Sequence, residues 1–158
     1  MSDAIKHECG IALIRLLKPL DYYVEKYRTP AYGLNKLYLL MEKQHNRGQD
    51  GAGAAVIKLD PVPGTPFINR YRSVKQQPIV DIFDNVFSHF PKNRKPLDNP
   101  KAESDWYKAN VPFVGELLLG HLRYGTYGKN NDSYCHPFLR ENNWMTRNLV
   151  VAGNFNMT

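Results

Sequence analysis

Strand-like and helix-like segments alternate along this chain, which predicts an α/β-type domain whose sheet is still open where the sequence stops. Two observations carry the prediction. Short apolar runs of strand length, such as "GIALIRLL" (Gly10 to Leu17), alternate with stretches of 3.6-residue apolar periodicity. Glycine and proline clusters separate them, at "HNRGQDGAG" (45–53) and at "PVPGTP" (61–66).

The first run is apolar throughout apart from Arg15 and reads as a strand buried on both faces. A polar, tyrosine-rich connection follows it. Leu34, Leu37, Tyr38 and Met41 fall at i, i+3, i+4 and i+7, so an amphipathic helix begins at Leu34. It stops at "HNRGQDGAG", where glycines at 48, 51 and 53 require a loop. "AAVIKLD" and "FINRYRS" read as the next two strands. Ile79, Ile82, Phe83, Val86, Phe87 and Phe90 form the core-packing stripe of a second helix. The charged, proline-bearing stretch 91–110 reads as a surface loop, part of an insert spanning 75–110. "GELLLGHLRYGTYG" (115–128) begins as a strand and ends as a glycine-bearing loop, and "NLVVAGNFNMT" (148–158) contains a last apolar strand.

A chain of 158 residues holds one domain or a large piece of one. Its 42% apolar and 23% charged content excludes disorder. The net charge of +6 is spread along the chain. The densest basic run, "PKNRKPLDNPK" (91–101), has no accompanying nucleic-acid signature and reads as a solvated loop, so no nucleic-acid partner is expected. Two cysteines, Cys9 and Cys135, make no disulfide framework and sit in no metal-ligand spacing, which points to a reducing, cytoplasmic setting and to no metal. "MSDAIKHE" has no apolar signal core, and no segment approaches the ~20 apolar residues of a membrane helix, so no membrane partner is expected. Without a secretory signal, "NDS" at Asn131 and "NMT" at Asn156 read as chance sequons.

Four segments hold residues suited to chemistry. A thiol with a reference pKa of about 8.5 needs a base at neutral pH. Cleavage before Cys9 would supply one, because the freed α-amine, with a pKa of about 8, sits on the same residue. A short leader, a thiol at the mouth of a strand and a small following residue, Gly10, fit that arrangement; an inert core cysteine is the alternative. In "HLRYGTYG", Arg123 offers a bidentate fork for a carboxylate, with Thr126 and loop N–H groups completing a cradle, or it is a buried ion-pair partner. "HNRGQDGAG" lacks the Walker A lysine and the dinucleotide spacing and reads as a helix-to-strand turn. "VVAGNFN" either presents the Gly153 N–H to an oxyanion or is a plain turn.

In this order, the four segments from Cys9 to Asn156 resemble the glutaminase domain of the N-terminal-nucleophile (class II) glutamine amidotransferases. Gln49 and Tyr124 stand where the sugar-phosphate-isomerising members carry tyrosine and tryptophan, so the chain is most similar to the glutamine phosphoribosylpyrophosphate amidotransferases. The resemblance implies an α+β fold: a four-layer αββα sandwich of two antiparallel sheets between helix layers, incomplete here at the C-terminus. Residues 1–8 would be a leader and 9–158 the N-terminal portion of the glutaminase domain, with the phosphoribosyltransferase domain absent. The implied activity is glutamine hydrolysis to glutamate and ammonia, the ammonia passing to phosphoribosyl diphosphate to give 5-phosphoribosylamine in purine biosynthesis. Implied partners are glutamine, the phosphoribosyltransferase domain in cis and further copies of the full-length protein. No cofactor belongs to this portion; Mg²⁺ would accompany phosphoribosyl diphosphate in the other domain.

Carried over residue by residue, the resemblance makes Cys9 the nucleophile and its α-amine the base. Arg123 would bind the glutamine α-carboxylate, helped by Tyr124, Thr126 and the loop backbone. Arg47 and Gly48 would shape the wall beside Cys9, Gly153 would give an N–H to the oxyanion, and His136 would lie beside the pocket. Val151, Ala152, Gly153 and Asn154 stand where the family reads His-Asn-Gly-Asn, so Ala152 replaces a second oxyanion donor and Asn154 is the nearest substitute. Losing one such donor costs roughly 10²–10³ in rate. Ala152 and the insert support the alternative of a weak or inactive module with a regulatory or interaction role. The family's glutaminase domain continues past this point to an aspartate that receives the glutamine α-amine, so this portion alone is expected to be inactive.

Overall fold

The computed structural model describes residues 8–125 and 131–155. They form a mixed α+β structure with four α-helices and two antiparallel sheets. The main sheet contains β1 (Gly10–Arg15), β2 (Gly51–Ile57), β3 (Ile68–Ser73) and β4 (Leu117–Arg123), in the order β1-β4-β2-β3. Every pairing is antiparallel, which corrects the α/β-type expectation. Alternating strand and helix segments suggest crossovers, but β2 passes to β3 through residues 58–67, which hold no helix and are too few for a crossover, so that pair is antiparallel.

One face of the sheet packs on α2 (Tyr32–Lys43) and α3 (Pro78–Ser88). Leu34, Leu37, Met41, Ile79, Ile82, Phe83 and Val86 are buried there against Ala54, Val56, Leu118 and Leu122. Small residues let α2 sit close: Ala12, Gly120 and Ala54 stand in register across three strands. A Cβ on Gly120 would come within 2.6 Å of Met41 Sδ. β1 lies at one edge of this sheet, and its burial alternates. Ala12 is buried, whereas Ile11 and Leu13 are 45% and 63% exposed, which corrects the expectation of a strand buried on both faces.

Two helices lie where loops are expected. The tyrosine-rich connection is α1 (Leu20–Tyr27), with Leu20, Tyr23 and Val24 buried at i, i+3 and i+4. Tyrosines on both its wet and its dry face blur that period in the sequence. The stretch 91–110 contains α4 (Pro100–Asn110), which packs on α1. Asn99 Oδ1 caps α4 by accepting the Ala102 N–H at 3.0 Å, and Pro100 suits the first turn. One of the charges before it, Arg94, is firmly partnered. Arg94 makes a two-pronged bond to Glu103, at 2.7 and 2.6 Å, and lies 3.8 Å over the Trp106 ring.

The C-terminal end of α4 is tied to the sheet by buried lysines. Lys58 Nζ donates to the Lys108 and Val111 carbonyls at 2.6 and 3.1 Å. Lys108 Nζ donates to Glu116 Oε1 at 2.7 Å and to the Leu59 carbonyl, while Glu116 Oε2 accepts the Leu59 N–H at 2.8 Å. Burial, followed by the neighbouring Lys108 cation, lowers the pKa of Lys58.

The second sheet pairs β5 (Phe138–Arg140) with β6 (Leu149–Val151). The segment leading into β5 lies on the sheet face away from α2, where a Cβ on Gly53 would come within 2.0 Å of the His136 carbonyl oxygen. Arg72 Nη1 donates to the Ser133 and Cys135 carbonyls, at 3.3 and 3.1 Å, and holds that segment down. Among the described residues no helix is long and apolar enough to cross a membrane.

Candidate functional site

Strand direction alone gathers three of the four sequence segments. β1 and β2 both run antiparallel to the central β4, so their first residues meet its last. Gly10 pairs with Leu122, and Gly51 pairs with Arg123. Cys9, Asp50 and Arg123 therefore come together at one end of the sheet, although they are far apart in the chain.

Cys9 is half-buried at the entrance to β1. Its Sγ accepts the backbone N–H of Tyr124 at 3.5 Å. Gly10 packs closely beside it: a Cβ there would lie 2.9 Å from Gln44 Oε1 and 3.3 Å from Leu122. The Tyr124 N–H places a hydrogen-bond donor on the sulfur at the mouth of the strand. Cys135, by contrast, is fully buried, with Sγ 3.9 Å from the Ser73 carbonyl, and burial raises its thiol pKa. Of the two thiols only Cys9 has the exposure that a nucleophile needs.

Arg123 is 3% exposed, with its guanidinium carbon 6.0 Å from the centre of the Tyr134 ring. Tyr124 is 41% exposed, and its backbone N–H is the group that meets Cys9 Sγ. Thr126 lies outside the described residues. Gly48 is buried against the end of β4, where a Cβ would come within 2.6 Å of the carbonyl carbons of Leu122 and Arg123. Arg47 is exposed, and its N–H closes a turn on the Gln44 carbonyl at 2.8 Å. Gly48, rather than the Arg47 side chain, is the buried member of that wall.

The fourth segment sits on two histidines. The rings of His121 and His136 stack with centroids 4.5 Å apart, and both residues are buried. His136 Nδ1 accepts the Gly153 N–H at 3.0 Å, and His121 Nε2 lies 3.1 Å from the Gly153 carbonyl oxygen. A carbonyl only accepts, so His121 carries its proton on Nε2, which leaves Nδ1 buried without a partner. Burial, then the facing His136 ring, lowers the His121 pKa to about 4; burial, then the Arg123 cation, lowers that of His136. Both rings are held neutral at pH 7.

This arrangement departs from expectation at two residues. The Gly153 N–H is engaged by His136 and is not open to an oxyanion in this conformation. Asn154 is exposed at the surface. Two residues that the sequence did not single out prove central: Asp50, which bonds to the Arg123–Gly125 segment, and His121. His121 did leave a signal, a polar side chain in an otherwise apolar strand. Among the described residues, no group of three or more His, Cys, Asp or Glu side chains is placed to hold a metal. Comparison with protein-family models, with curated proteins and with solved structures finds no match for this chain.

Proposed function

We propose that this chain is the N-terminal portion of a glutaminase of the N-terminal-nucleophile type, with Cys9 attacking the side-chain amide of glutamine. The observation that carries the reading is the meeting of Cys9, the buried Arg123 and the Tyr124 N–H at one end of the main sheet. Once the peptide before Cys9 is cut, its α-amine takes the thiol proton. The sulfur then adds to the amide carbon, the carbon–nitrogen bond breaks, and the amine's proton leaves with ammonia. Water hydrolyses the γ-glutamyl thioester to glutamate. Arg123 fixes the substrate's α-carboxylate through its two-pronged fork. The two antiparallel sheets, with α2 and α3 outside the first, fit the inner layers of an αββα sandwich. The ammonia would go to phosphoribosyl diphosphate, bound with Mg²⁺ by a phosphoribosyltransferase domain in cis, in a cytoplasmic homo-oligomer that makes 5-phosphoribosylamine.

N-terminal sequencing of the full-length protein, paired with an assay for glutamine-dependent ammonia release, tests the proposal. It expects a chain beginning at Cys9 and activity abolished in Cys9→Ala. A retained leader with no hydrolysis would refute it.

A second reading has its own support: Ala152 carries no donor, and the Gly153 N–H is occupied by His136. These features favour a catalytically weak module that keeps the fold for regulation or interaction. Glutamine hydrolysis that depends on Cys9 excludes it.

A further inference from the structure

We propose that Asp50 is a positioning residue that straps the Arg123–Gly125 segment and thereby aims the Tyr124 N–H at the Cys9 sulfur. The idea rests on Cys9 being the reacting group of the proposed function, and it adds a residue and a role to that site. Asp50 grips the segment at both ends. Its backbone N–H donates to the Arg123 carbonyl at 3.1 Å, and its Oδ2 accepts the Gly125 N–H at 2.8 Å. Tyr124 lies between these anchors, and its N–H is the one that meets Cys9 Sγ at 3.5 Å.

The carboxylate bond is not a local turn, because Asp50 and Gly125 are 75 residues apart in sequence. A carboxylate accepting a backbone N–H makes a charge-assisted bond, stronger than a neutral one. The packing leaves the segment little room to adopt another course. A Cβ on Gly48 would run into the backbone of Leu122 and Arg123, and one on Gly125 would lie 3.3 Å from both Asp50 Cβ and Arg123 Cζ. One residue of the "RGQDGAG" turn thus sets the direction of an N–H that serves a thiol on another strand. It acts through Tyr124 and touches no reacting atom.

The test uses the full-length protein with Asp50→Ala and Asp50→Asn, and follows alkylation of Cys9 by iodoacetamide, hydrogen exchange at Gly125 and glutamine hydrolysis. Asp50→Ala should slow Cys9 alkylation at least fivefold and speed Gly125 exchange roughly tenfold or more. It should lower kcat more than it raises KM. Asp50→Asn keeps an acceptor oxygen in place and should stay within about threefold of the parent in all three. Buried Cys135 monitors the fold, since its alkylation would report unfolding rather than repositioning. Should the alanine variant unfold, the unmodified protein still decides: an unprotected Gly125 amide overturns the proposal. So does parental alkylation in Asp50→Ala, or an equal loss in Asp50→Asn. A protein that never hydrolyses glutamine, yet shows the alkylation and exchange differences, refutes the glutaminase reading and leaves the strap standing.

Discussion

His136 Nδ1 accepts the backbone N–H of Gly153 at 3.0 Å, while the stacked ring of His121 reaches the carbonyl oxygen of the same residue at 3.1 Å. Both polar groups of one glycine are held by two neutral imidazoles in a buried layer between the sheets. Removing the acceptor leaves a buried N–H unpaired, at a cost of about 1–3 kcal/mol. His136→Leu should therefore lose that much unfolding free energy in a denaturant titration. His136→Asn, whose Oδ1 falls near the position of Nδ1, should recover at least half of the loss.

The same pair makes stability sensitive to acid. His121 has a pKa of about 4 in the folded protein against 6.5 when unfolded. The unfolded chain binds its proton first as pH falls, so stability is constant above about 6.5 and declines from there to about 4. The shift of His136 acts in the same direction. For His121 alone the loss over this window is of order 3 kcal/mol. Thermal unfolding followed from pH 7.5 to 4.5 should show a falling Tm, and His121→Gln should flatten that profile.

At the far end of the sheet, Glu116 neutralises buried Lys108 and accepts the Leu59 N–H. Glu116→Ala strands a buried ammonium beside Lys58 and should cost about 3–5 kcal/mol by denaturant unfolding. Lys108→Ala should cost less, because Lys58 remains as a neighbouring cation and Glu116 still accepts the Leu59 N–H.

At the Cys9 end of the sheet, Arg123→Lys keeps the charge but loses the planar fork. On the proposed function it should raise KM for glutamine by roughly tenfold or more and change kcat much less, as steady-state kinetics would show. Iodoacetamide alkylation of Cys9, which needs no glutamine carboxylate, should be nearly unchanged.

The parts of the fold that follow one strong period were legible in the sequence. The stripes at Leu34–Met41 and Ile79–Phe90 appear as α2 and α3, and the apolar runs as β1, β2 and β4. Elements whose packing rests on polar or aromatic partners were not. The helical period of α1 is masked because Tyr22 and Tyr27 are exposed beside buried Tyr23. α4 is held by polar bonds that no apolar period reveals: Lys58 and Lys108 to carbonyls about 50 residues away in sequence, and Arg94 to Glu103 nearer by. The site divides in the same way. Cys9 and Arg123 are apparent from residue type and flanking glycines, whereas the roles of Asp50 and His121 come from hydrogen bonds across strands that no local pattern encodes.

The central claim is that Cys9 is a glutamine-directed nucleophile. Its most direct test is to treat the full-length protein with a glutamine-mimicking diazo-ketone and map the adduct by peptide mass spectrometry. The account predicts one adduct, on a Cys9 that forms the mature N-terminus, blocked by excess glutamine and absent from Cys9→Ala. An unlabelled Cys9 under conditions that alkylate it with iodoacetamide would contradict the account.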